Sequence, residues 1–159
     1  MISYEKVRRS LRNLTLAIAW LNVIAAGYKI FALFGTYLIS QNLDQYASNA
    51  AAYENLKQSI SLANVLLLIL ALICNILIAV FAFLNLSKIA DDKPNYLPYV
   101  IGLVYTVLYN LIGFILSGIP NIAIFLTSLI IPIIFLVIYA FGTSKTKTLL
   151  EKDDLGEDL

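Results

Sequence analysis

Four apolar stretches, each long enough to cross a bilayer, occupy most of this chain and leave little for a water-soluble core. A membrane's hydrocarbon layer is roughly 30 Å thick and a helix rises about 1.5 Å per residue, so about 20 apolar residues in succession span it. Segments 14–39, 60–86, 97–116 and 119–141 meet that requirement. They are too long and too evenly apolar for the alternating ten-residue strands of a membrane barrel. The prediction is an all-α fold: an integral membrane four-helix bundle of four transmembrane helices in antiparallel up-down topology. Composition agrees, since 60% of the residues are hydrophobic and 13% charged, well outside the range of soluble domains.

The connections set topology and domain layout. Residues 1–13 form a basic N-terminus, 14–141 the transmembrane domain, and 142–159 a charged C-terminal tail read as solvated. The first connection contains Ala50-Ala51-Ala52, which favours helix and would extend the second span outward. The link Ser117-Gly118-Ile119-Pro120-Asn121 is so short that the last two spans must be antiparallel neighbours, with Pro120 in the first turn of the fourth. Nine of the eleven basic residues fall before the first span, between the second and third, or after the fourth. Only Lys57 lies in the opposite connections and Lys29 inside a span, so the positive-inside rule places both termini in the cytoplasm, with the plasma membrane as location. Tyr37, Tyr96, Tyr99 and Tyr139 sit near span ends, as an aromatic belt requires. The first apolar stretch is too long for a signal-peptide core and reads as a retained anchor. Asn13-Leu14-Thr15 and Asn85-Leu86-Ser87 match the glycosylation pattern but map to the cytoplasmic edge.

Hydrocarbon cannot satisfy an amide or an ammonium, so polar side chains inside spans should face other helices or water. Their spacing fits, because steps of three and four keep them on one helical face. In the first span the stripe includes Asn22 and Lys29; in the second, Asn64, Asn75 and Asn85. The third offers Gly102, Thr106, Asn110 and Gly113, and the fourth Ser128, Pro132 and Tyr139. The nearest explanation is helix packing, in which small residues admit close approach and amides bond between helices, each bond contributing roughly 0.6 to 2 kcal/mol. Gly102 with Thr106, and Gly113 with Ser117, make two small-xxx-small patterns of that kind. Pro132 removes a backbone donor and predicts a kink in the fourth span. Cys74, in an apolar run, reads as packing.

Depth adds a second coordinate. Counted inward from the cytoplasmic edge, Lys29, Asn75, Tyr109, Asn110 and Ser128 fall in one layer near the midplane. A lysine there costs roughly 2.5 to 3.5 kcal/mol even on lenient insertion scales, and all ten acidic residues lie outside the spans. Lys29 therefore has no carboxylate partner in its layer. Two readings are open: its stem snorkels to the outer interface while amides satisfy the amine, or the amine belongs to a polar site, with Tyr28, Tyr105 or Tyr109 offering a ring.

Chemistry is otherwise sparse. The chain has no histidine and one cysteine, which removes the usual zinc sites, haem ligands and His-based acid–base catalysis. It has no phosphate loop, no C-x-x-C and no pair of membrane carboxylates, and its formal net charge of +1 gives nucleic acid no handle. The expectation is a protein without enzymatic chemistry, cofactor or metal, whose partners are the bilayer and a membrane protein or second copy. Its role would be of the accessory, assembly or immunity type. The alternatives are a channel or transporter protomer using the layer around Lys29 for a small anion or polar solute, and a pore-forming lysis protein.

Overall fold

The computed structural model describes residues 4–117 and 122–156. The chain is all-helical among these residues: α1 Tyr4–Asn42, a short 3-10 turn Leu43–Tyr46, α2 Ala50–Ser59, α3 Leu62–Ala90, α4 Leu97–Ser117 and α5 Ile122–Gly156. Four of them, α1, α3, α4 and α5, are long and apolar enough to cross a membrane. They pack in a ring in which α1 touches α3 and α5, and α4 touches α3 and α5. The link 118–121, with Pro120 and Asn121, lies outside the described residues.

The α1–α3 pair is the most extensive, and its residues explain why. Both helices turn inward a stripe spaced by threes and fours, Leu11, Thr15, Ile18, Ala19, Asn22 and Ala26 on α1, and Ala71, Asn75, Ile78, Ala79, Ala82, Asn85 and Ile89 on α3. The alanines on both sides let the backbones approach. Trp20 and Phe83 meet edge to face outside this seam, their centroids 5.7 Å apart.

Helix ends follow from local chemistry. The outer connection does not lengthen the second span, as its alanines led us to expect, but forms the separate helix α2. Asn49 caps its start by accepting the Ala52 N–H, and Ser61 caps α3 by accepting the Asn64 N–H, which breaks the chain between the two helices. At the far end of α3 the Lys93 N–H bonds Lys88 O at 2.8 Å and the Asp92 N–H bonds Ile89 O at 3.3 Å, a Schellman ending. Asp92 takes the left-handed position of that ending, φ 56°, where glycine is usual. Its carboxylate is gripped by both Arg8 Nε, at 2.6 Å, and Arg8 Nη2, so the start of α1 is tied to the α3–α4 turn.

The segment beyond 141 departs from the sequence reading. It is no separate tail, because α5 continues through it to Gly156. Thr146 and Leu149 are fully buried, and Leu149 joins Leu11, Ile89 and Tyr99 in the apolar core. Most of that core lies in the half of the bundle nearer the chain termini. In the half nearer α2 the helices carry exposed apolar residues, including Phe31, Phe34, Ile115 and Ile122.

Candidate functional site

Three inward amides and the one inward amine each meet a tyrosine. Asn85 Nδ2 donates to the Tyr99 hydroxyl at 3.2 Å, Asn22 Nδ2 to Tyr139 at 2.9 Å, Asn75 Nδ2 to Tyr105 at 3.4 Å, and Lys29 Nζ to Tyr109 at 2.8 Å. The donors come from α1 and α3, the acceptors from α4 and α5. These four bonds form a ladder through the bundle that satisfies polar groups which an apolar surrounding would otherwise penalise.

The sequence placed Tyr99 and Tyr139 in an aromatic belt, and Tyr139 also on the inward stripe of the fourth span. They are instead the largest side chains buried in the core, 0% and 1% exposed. The physical reason is that α1 and α5 continue past the predicted span ends and cover them. Each ring also lies against a glycine of the facing helix. A Cβ on Gly102 would come within 2.4 Å of the Tyr139 ring, and one on Gly142 within 2.5 Å of the Tyr99 ring. The pairs are reciprocal, since Tyr99 and Gly102 stand on α4 while Tyr139 and Gly142 stand on α5. Tyr-x-x-Gly occurs in both segments, and this repeat was the signal in the sequence that would have found them.

Around Tyr99 the polar network is dense. The Thr15 hydroxyl donates to Leu11 O and also meets the Tyr99 hydroxyl, while the Asn85 amide pairs with both the N–H and the C=O of Asn95. Asn85 is thereby buried and bonded, at the position where the sequence showed a glycosylation pattern. Thr146 Oγ1 is buried against the same phenol, short of hydrogen-bond geometry.

Toward α2 the ring of helices opens around a cavity of about 450 Å³. All five residues of the predicted layer line it: Lys29, Asn75, Tyr109, Asn110 and Ser128. Asn22, Thr106 and Pro132 line it too, with Tyr105, Phe135 and Tyr139. Lys29 does not snorkel away but reaches across to Tyr109, its Nζ 4.5 Å from that ring's centre and 6.0 Å from that of Tyr28. No described carboxylate lies within ion-pair distance of it. Asn110 and Ser128 each donate within their own helix, to Thr106 O and Phe125 O, and these bonds tie no helices together. Tyr28, Ser128 and Ile131 are exposed members of the wall, so the opening lies between α1 and α5. In the other direction the Asn22–Tyr139 bond and the packed layer of Ile18, Ala19, Ile78 and Ala82 close the floor.

The remaining sequence candidates lie elsewhere. Asn64 is at the start of α3, where its Nδ2 donates to Gln58 O at 2.7 Å and fastens α2. Gly113 has nothing within 4 Å of a Cβ position, so its small-xxx-small pattern marks no close approach. Pro132, in the cavity wall, stands inside α5, which is helical on both sides of it. Cys74 is half-buried on the side of α3 that faces a second, apolar groove.

No protein-family model, curated protein or solved structure matches the chain.

Proposed function

We propose that this chain is a plasma-membrane protein without enzymatic chemistry, both termini cytoplasmic, that works by holding a guest in the cavity around Lys29 rather than by conducting solute. An accessory, assembly or immunity-type role would be exercised through what the cavity holds, alone or with a membrane partner or a second copy. The observation that carries this reading is the shape of the cavity. It is open at its side, between α1 and α5, and shut toward the chain termini by the Asn22–Tyr139 bond and several turns of buried side chains. A conduit needs two mouths, whereas a receptor needs one. The basic residues gathered at the end that carries the termini support the orientation.

Reconstituted flux tests the reading. Vesicles containing the purified chain should stay tight to chloride, phosphate and small neutral solutes, within the leak of protein-free vesicles. Sustained flux that Lys29→Met abolishes would overturn the proposal in favour of a channel or transporter. Dye release and toxicity on overexpression would overturn it in favour of a lysis protein.

A further inference from the structure

We infer that the cavity around Lys29 receives the acidic head of a membrane-dissolved amphiphile, a single carboxylate or phosphate on an apolar chain, with the chain leaving between α1 and α5. This rests on the binding reading above and adds the chemistry of the guest.

Charge gives the first argument. Lys29 is the one charged residue among those lining the cavity, and its contact there is a neutral phenol. A cationic guest would meet like charge, and a neutral guest would leave the ammonium with that phenol alone. An anion completes the pair in surroundings where the attraction is weakly screened.

Hydrogen-bond supply gives the second. Tyr105, Tyr109 and Tyr139 each accept a bond, from Asn75, Lys29 and Asn22, so their own O–H protons are not used in those bonds. All three phenols line the cavity. An ammonium keeps two further N–H donors after the one given to Tyr109. Donors therefore converge from α1, α4 and α5 on one space, which suits a group that only accepts.

Shape gives the third. Beside these polar groups the wall has an apolar part, Ala25, Ile131, Pro132 and Phe135, which Ile131 continues to the exposed rim. A small inorganic anion would leave that wall uncovered. About 450 Å³ falls in the range of small-molecule sites, roughly 300 to 1,000 Å³. A partner's helix, about 10 Å across with its side chains, would enter only by spreading α1 from α5.

The test uses the purified full chain in nanodiscs of phosphatidylcholine, with native mass spectrometry or equilibrium partitioning as readout. Hexadecyl phosphate and hexadecanoate should bind at least tenfold tighter than hexadecanol. Lys29→Met should erase that preference and Lys29→Arg should keep most of it. Tyr109→Phe, which leaves the charge in place, should reduce it several-fold, and Lys57→Met should leave it unchanged. The unfolding temperature of each variant shows that it is folded. Equal binding of hexadecanol and the two acids would overturn the anion assignment while leaving a binding cavity. Inorganic phosphate binding as tightly as hexadecyl phosphate would overturn the amphiphile. No binding by any of these probes would overturn both this inference and the binding reading, whereas Lys29-dependent capture of an acidic membrane helix in their place would overturn the amphiphile and leave a binding cavity.

Discussion

Gly102→Ala and Gly142→Ala are each expected to destabilise the bundle by about 1–3 kcal/mol, the range for forcing an extra carbon into a packed interior. At Gly102 the new Cβ would lie 2.4 Å from two ring carbons of Tyr139, and at Gly142 2.5 Å from the Tyr99 ring. Neither ring is a loose end that can step aside. Tyr139 is held by Asn22, and Tyr99 by Thr15 and Asn85. Tyr139→Phe should give no rescue of Gly102→Ala, because the clash is with ring carbons and the hydroxyl plays no part in it. Gly27, Gly35 and Gly113 serve as controls, since no atom approaches their Cβ positions within 4 Å. Alanine at those three sites should be neutral or stabilising by up to about 1 kcal/mol through backbone entropy. Reversible unfolding in mixed micelles reads both sets, and a destabilised Gly113→Ala beside an unaffected Gly102→Ala would contradict the reciprocal packing.

The second large effect is expected at Tyr99. Because Thr15 already donates to Leu11 O, the Tyr99 hydroxyl is the donor in their contact, and it accepts from Asn85. One oxygen thus joins α1, α3 and α4. Tyr99→Phe keeps the ring and deletes only that junction, leaving one Asn85 N–H without its acceptor in a buried site. The expected loss is about 1–3 kcal/mol, and Tyr99→Ala, which also removes a fully buried ring, should cost about 3–5 kcal/mol. Tyr28→Phe and Tyr37→Phe, at positions 69% and 58% exposed, should stay within about 0.5 kcal/mol. The same unfolding titration decides it, and equal stabilities for Tyr99→Phe and Tyr28→Phe would remove the junction from the account.

The architecture was legible because apolar length and the three-four spacing of polar residues are strong signals. Asn22, Asn75 and Asn85 turn inward since no other face offers them a partner. That Lys29, Asn75, Tyr109, Asn110 and Ser128 come to one level of the bundle was legible because helix rise converts sequence position into height, and they line one cavity. What those groups bond to was not legible. Distance from a predicted span end says nothing about whether another helix covers that end, so Tyr99 read as a belt residue, and so did Tyr139 although its spacing also put it on the inward stripe. Charge likewise obscured the end of the chain. The steps Tyr139, Gly142, Thr146 and Leu149 continue the inward stripe of α5, but the lysines between them and the acids that follow read as solvated tail. At Gly113 a valid local pattern met no neighbour, since small residues permit close approach without causing it.

Paramagnetic relaxation by dissolved oxygen, measured on 3-fluorotyrosine signals of the chain in nanodiscs and assigned by single Tyr→Phe variants, tests the buried tyrosine ladder most directly. Oxygen concentrates in hydrocarbon, so the Tyr99 and Tyr139 signals, 0% and 1% exposed, should be the least relaxed and that of Tyr28, 69% exposed, among the most. Tyr99 or Tyr139 relaxing as fast as Tyr28 would mean that these phenols face lipid, and the bundle described above would be wrong.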